Sequence, residues 1–186
     1  MTPTPDAGIV AETTPNPGTL RFALGRSINE RGGKDFPHPA EADGSPLALR
    51  LFAIEGVAAL YVGRDFVTVT KADGLEWDER VVESIKVGIR DHLSSGEPAI
   101  TGPVSRHATA EGSVETRIQR ILDEEIRPAV AMDGGDIVFL GFHDGVVELH
   151  LQGSCSGCPS SLMTLKMGIE QRLRDEIPEV EEVVAI

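Results

Sequence analysis

The sequence predicts an α+β protein built as two small domains, each mixing helix and strand. Three observations predict it. Each half of the chain holds two short, β-branched or alternating runs joined by a three-residue connection. These are Val57–Val62 and Phe66–Thr70 around Gly63-Arg64-Asp65, and Ile137–Phe142 and Val146–Leu151 around His143-Asp144-Gly145. Such pairs read as antiparallel hairpins. Both pairs are flanked by segments whose apolar residues recur at helical spacing, and a sheet with one apolar face is completed by helices laid on it. Between the halves, residues 94–112 hold two Pro, three Gly and several Ser and Thr without a periodic apolar pattern. That is the composition of a linker.

In chain order, residues 1–13 are rich in Pro, Thr, Ala and Glu and aperiodic, which predicts a disordered lead-in. A turn-dense run, Thr14-Pro15-Asn16-Pro17-Gly18, opens the first domain, residues 14–95. Thr19–Leu24 alternates with period two and reads as a strand, and Gly32–Gly44, with three Gly and two Pro, reads as a surface loop. Ser45 as N-cap and Pro46 in the first turn start a short helix carrying Leu47, Leu51 and Ile54, with Gly56 as its stop. After the hairpin, Trp77–Leu93 repeats Val81, Ile85, Ile89 and Leu93 every four residues, a second helix. Residues 96–112 are the expected linker.

The second domain, residues 113–186, starts at Ser113, an N-cap with Glu115 in the first turn. Val114, Ile118, Ile121 and Leu122 give that helix its apolar face, and Pro128 should bend or end it. Asp133-Gly134-Gly135-Asp136 reads as a turn, followed by the hairpin. A helix from Pro159 to about Glu176 carries Leu162, Leu165, Ile169 and Leu173 and stops before Pro178; Val180–Ile186 supplies a third strand. The order is α-β-β-α-β, a three-stranded sheet with two helices.

Composition excludes several classes. A net charge of −13 and 17 Lys and Arg against 30 Asp and Glu leave no basic face for nucleic acid or for an anionic membrane surface. No run of about eighteen apolar residues predicts a membrane span. Met1–Asn16 lacks the basic and apolar regions of a signal peptide. The expected location is therefore a reducing cytoplasm, or the mitochondrial matrix for a processed eukaryotic chain. No Ser-His-Asp order, phosphate-binding glycine loop or H-E-x-x-H is found, so the expectation is a non-enzyme.

The chemistry concentrates in Gly153-Ser154-Cys155-Ser156-Gly157-Cys158-Pro159, which holds the only two cysteines. The alternating run before it and the helix after it place Cys155 and Cys158 at a strand-to-helix junction. Thiolates are favoured there by the positive end of the helix dipole. Tetrahedral zinc and iron–sulfur clusters usually take four protein ligands. With two cysteines per chain, all-thiolate ligation needs two copies, and symmetric dimers are the commonest assembly.

Other readings compete. A dithiol–disulfide oxidoreductase uses the same C-x-x-C, although here a hairpin stands where a βαβ unit is expected. A single-chain zinc site could recruit His143 and His150, and two packed free cysteines are the bland alternative. Met163 and Met167 fit a core or dimer face, or an apolar shell around a cluster. Asp133 and Asp136 suit backbone hydrogen bonding in a turn better than acid–base chemistry. His38, His92 and His107 are expected to be solvated, and Glu179, Glu181 and Glu182 to form a solvated acidic face.

Glu125-Ile126-Arg127-Pro128, Asp133-Gly134-Gly135-Asp136 and Gly153–Ser161 together resemble the NifU-like domain of Nfu iron–sulfur scaffold and carrier proteins. Thr14-Pro15-Asn16-Pro17, Ser45-Pro46-Leu47-Ala48, Leu51–Val57 and Asp65–Lys71 are similar to the Nfu N-terminal domain. The resemblance implies a 4Fe–4S cluster held between two subunits by Cys155 and Cys158, in a homodimer when loaded, and passed to apoproteins. It implies upstream assembly machinery as a further partner, and clients such as aconitase-like dehydratases, lipoyl synthase and respiratory-complex subunits. It associates the N-terminal domain with client recognition.

Overall fold

The computed structural model describes residues 8–29, 33–101, 113–154 and 159–186. The chain divides into two compact units, Met1–Ser105 and Arg106–Ile186. Both are mixtures of helix and sheet, as the sequence predicts.

The first unit runs β1 (Val10–Thr13), β2 (Thr19–Ala23), β3 (Lys34–Phe36), α1 (Pro46–Phe52), β4 (Val57–Val62), β5 (Phe66–Lys71) and α2 (Glu79–Ser95). Its antiparallel sheet has the order β1-β2-β5-β4-β3, so the predicted hairpin β4–β5 lies inside the sheet. Leu47 and Leu51 of α1 and Ile85 and Ile89 of α2 join Phe22, Leu60, Val62, Val67 and Val69 in one buried core. The helix ends follow their caps. Ser45 accepts from Ala48 N–H and Asp78 from Arg80 N–H, and α2 ends at Gly96 in the left-handed region.

Three expectations are corrected here. The lead-in is ordered over Val10–Thr13, which pairs with Ala23–Leu20; residues 1–7 lie outside the described residues. That strand is mostly exposed and held by backbone pairing, so no apolar period announces it. The loop Gly32–Gly44 contains β3 and a 3-10 turn at Pro39–Glu41, and Phe36 and Ala42 are fully buried. Its three-residue strand is too short to show a period. Part of the expected linker is docked. Ala99 and Ile100 are buried, the Ser45 hydroxyl donates to the Ala99 carbonyl at 2.6 Å, and Thr101 N–H donates to the Gly44 carbonyl at 2.7 Å. The rest of it, residues 102–112, lies outside the described residues.

The second unit runs α3 (Val114–Ile121), a π-helical turn (Leu122–Ile126), α4 (Arg127–Met132), β6 (Gly135–His143), β7 (Val146–Gly153), α5 (Pro159–Glu176) and β8 (Glu182–Ala185). Strand β7 is central, antiparallel to β6 and parallel to β8. Ile118, Ile121, Leu122 and Val130 pack with Ile137, Phe139, Val147, Leu149 and Leu151 of the sheet and Ile169 and Leu173 of α5. Pro128 does not end the helix. A proline ring crowds the carbonyl four residues back, and the widened turn just before it, with Arg127 N–H bonded to the Leu122 carbonyl, lets the helix resume as α4.

Both units solve one phase problem in the same way. Val57 and Leu60, and likewise Phe139 and Phe142, are three residues apart, so a regular strand would send them to opposite faces. A register shift between Val57 and Ala59, and another between Phe139 and Gly141, returns each pair to the core side.

Candidate functional site: the frame of the cysteine loop

Cys155 and Cys158 lie outside the described residues; the elements that hold their loop at both ends are described. Strand β7 approaches with Val147, Leu149 and Leu151 buried and is paired on both sides along its first half. It ends at Gly153, whose φ of 68° is left-handed, a conformation that turns the chain out of the sheet and favours glycine. Ser154 is then 4% exposed, with its N–H donating to the Gly134 carbonyl at 3.2 Å and its hydroxyl to the Asp133 carbonyl. Five residues later α5 begins with Pro159, and no acidic side chain stands in its first turn. A helix start free of acidic side chains favours negative charge close to it.

The Asp133–Asp136 run is therefore the seat of the loop. Gly134, at φ 78°, makes the turn; Gly135 is already in β6, opposite Gly153. The run is a turn, as the sequence predicts, but its partner Ser154, twenty residues on from Gly134, is not legible in the local pattern. The available signal is the doubled glycine, Gly134-Gly135, which stands opposite Gly153-Ser154. Asp136 accepts from Ile137 N–H at 2.7 Å and lies 3.4 Å from Arg127 Nε, in keeping with a backbone and ion-pair role. Arg127 also donates from Nε to the Ile137 carbonyl at 2.9 Å and pairs with Asp123 at 2.6 Å. Burial pushes the Asp123 carboxyl above its usual range, and Arg127 opposes that shift.

A second clamp joins the π turn to α5. Arg172 grips both Glu125 oxygens at 2.7 and 2.9 Å and reaches Glu176 at 3.0 Å. This bidentate hydrogen bonding holds the Glu125 carboxyl below its usual range and raises the Arg172 guanidinium. The Glu-Ile-Arg-Pro segment thus touches both the seat of the loop, through Arg127, and the helix that follows the loop.

The single-chain zinc reading fails on distance. His143 pairs with Val146 while Gly135 pairs with Gly153, so His143 stands at the far end of the hairpin. Seven residues of strand separate it from Gly153, about 23 Å at roughly 3.3 Å per residue. His150 alternates with the buried Leu149 and Leu151, and its Nδ1 lies 2.9 Å from the Ile186 main-chain oxygen. Among the described residues no group of three or more His, Cys, Asp and Glu could hold a metal.

Other candidates sort as follows. Met163 and Met167 are 64% and 65% exposed, which removes a core role within the chain. His38 is exposed as expected, His107 lies outside the described residues, and His92 is buried against expectation. Glu179, Glu181 and Glu182 are exposed, with Glu179 paired to Arg117 at 3.2 Å. No helix among the described residues is long and apolar enough to cross a membrane.

Comparison with known proteins agrees with this division. The "Scaffold protein Nfu/NifU N terminal" family matches residues 9–96, and the NifU-like domain family matches residues 118–184. The human mitochondrial NFU1 iron–sulfur cluster scaffold homolog is 46% identical over 94% of this chain and 70% of its own length. The mitochondrial NifU-like protein 4 of Arabidopsis thaliana is 44% identical over 94% of this chain and 64% of its own length. The chain thus spans about two thirds of the length of these relatives. A solution structure of a NifU-like protein from Saccharomyces cerevisiae covers 55% of this chain and 92% of its own, with a TM-score of 0.48 at 24% identity. Matched along nearly its whole length, the chain belongs to the Nfu family of iron–sulfur cluster scaffold proteins, with an Nfu N-terminal domain followed by a NifU-like domain.

Proposed function

We propose that this protein carries a 4Fe–4S cluster between two copies of the chain, held by Cys155 and Cys158 of each, and transfers it to apo iron–sulfur proteins. The observation that carries the reading is the count of donors at a prepared loop. The chain has two cysteines, both between the Ser154 anchor and the start of α5, and the nearest histidines are turned or placed away. Two thiolates fit half of a four-thiolate cluster. The cluster is cargo, so the chain acts as carrier and not as catalyst.

Delivery is ligand exchange. A client thiolate forms an Fe–S bond as the Cys155 or Cys158 sulfur leaves, the departing thiolate takes up the proton that the client thiol gives up, and no electrons are transferred. Holding each pair in a short loop seated at one end lets a copy release both ligands without unfolding its sheet. Upstream assembly machinery loads the cluster, and a reducing compartment, cytoplasm or mitochondrial matrix, keeps the thiols available.

The test is anaerobic reconstitution of the full chain and its Cys155→Ala and Cys158→Ala variants, with iron and sulfide assays. Each variant is expected to lose at least nine tenths of the bound iron and sulfide. Undiminished loading in either one sinks the assignment, and disulfide reductase activity in an iron-free protein favours the dithiol alternative.

A further inference from the structure

We infer that the outward face of α5 is the surface on which the second copy seats in the loaded protein. This inference rests on the cluster reading above and names the contact that reading requires. Among the residues described along the first four turns of α5, from Leu162 on, the exposed ones are Met163, Thr164, Met167, Gly168 and Gln171. None is charged, in a chain where a quarter of all residues are. The charged side chains of the same stretch are engaged within their own chain. Lys166 pairs with Glu182 at 3.7 Å, Glu170 with Arg174 at 3.0 Å, and Arg172 with Glu125 at 2.7 Å. What remains outward is two methionines, which adapt to irregular surfaces and are enriched in interfaces, around small and neutral neighbours.

Gly168 is the second, independent mark. A glycine inside a helix weakens it relative to alanine, so its presence calls for a close neighbour. The first unit shows such a case: a Cβ on Gly88 of α2 would stand 3.1 Å from Leu51 of α1. At Gly168 a Cβ would meet nothing within 4 Å. No neighbour among the described residues accounts for this glycine; one approaching from outside does.

Two arguments select a second copy as that neighbour. Four thiolates from two chains must meet at the loop, and α5 starts where the loop ends, so its outward face is the helical surface that continues from the meeting point. The copies also carry −13 each, and like-charged chains approach best where both are uncharged. A two-fold contact of α5 against its counterpart satisfies both, with the two loops at the same end.

The test uses the anaerobically reconstituted full chain in sedimentation equilibrium, with iron and sulfide measured on the same samples. Met163→Glu with Met167→Glu places like charge on the face. Gly168→Leu adds uncharged bulk where a Cβ meets nothing within 4 Å among the described residues, and so keeps the test valid if the charged variant folds poorly. Both are expected to weaken the loaded dimer at least tenfold and to lose cluster on dilution, while Met163→Leu with Met167→Leu stays within twofold of the parent. Dimer constants unchanged in both disruptive variants overturn the inference and leave the cluster reading standing. Unchanged dimers with delivery to an apo iron–sulfur enzyme lost also overturn it, assigning the face to the client. A parent protein that binds no iron or sulfide overturns the cluster reading, and the inference with it.

Discussion

His92 lies in the last turn of α2, where the sequence suggests a solvated side chain, yet it is 1% exposed and neither ring nitrogen reaches a partner in hydrogen-bond geometry among the described residues. Burial depresses its pKa below the ordinary 6.5, Arg50 adds to the shift, and Glu97 opposes it. The sign follows. Above 6.5 the ring is neutral folded and unfolded and contributes no pH dependence. Below it the unfolded chain takes up a proton that the folded chain refuses, so stability falls, by at most about 1.4 kcal/mol per pH unit. Urea unfolding at pH 7.5 and 5.5 is expected to show that loss in the first unit, and His92→Gln is expected to flatten it. An equal slope in the variant would remove His92 as its source. Ser154 shows burial used the other way: its two hydrogen bonds satisfy the buried group and fix the start of the cysteine loop.

At the scale of the element, α5 has two distinct sides. Ile169 and Leu173 are buried, with Leu162 and Leu165 packed partly against the same core, while Met163, Met167 and Gly168 face out. Its stability is therefore set by the inner face, and Gly168 is a cost borne within the isolated chain. Gly168→Ala is expected to raise the stability of the cluster-free protein by roughly 0.5–1 kcal/mol, since the added methyl meets open space. Chemical denaturation checks this, and a destabilised variant would mean that the space is not open. The helix formed by α3, the π turn and α4 makes the complementary point. Its widened turn accommodates Pro128 and places Arg127 at the seat of the loop and Glu125 against Arg172 of α5.

For the whole molecule, charge is the governing quantity. Each copy carries −13, so bringing two together works against long-range repulsion. The Debye length shortens from about 30 Å at 0.01 M salt to about 10 Å at 0.1 M. The loaded dimer is accordingly expected to tighten several-fold across that range, as measured by sedimentation at constant iron content. Weakening by salt would point to an interface built on opposite charges and not on the neutral face of α5. The two units have separate apolar cores, and the residues joining them begin as part of the first, with Ala99 and Ile100 buried in it.

Much of this protein is written in local pattern. The sequence by itself determines the α-β-β-α-β order of the second unit, the caps at Ser45 and Ser113, the two hairpins, and the presence of both cysteines between one strand and the next helix, two short of a four-thiolate set. Those features depend on residues a few positions apart, on the period of 2 or 3.6, or on counting. Tertiary structure decided the rest. It seated Ser154 on the Asp133–Gly134 turn, set His143 at the opposite end of the hairpin from the loop, buried His92, and left Met163, Met167 and Gly168 facing outward. Each of these depends on register and packing between segments distant in sequence. A single bulge, as at Leu140, changes which face a side chain occupies, and no local period records it.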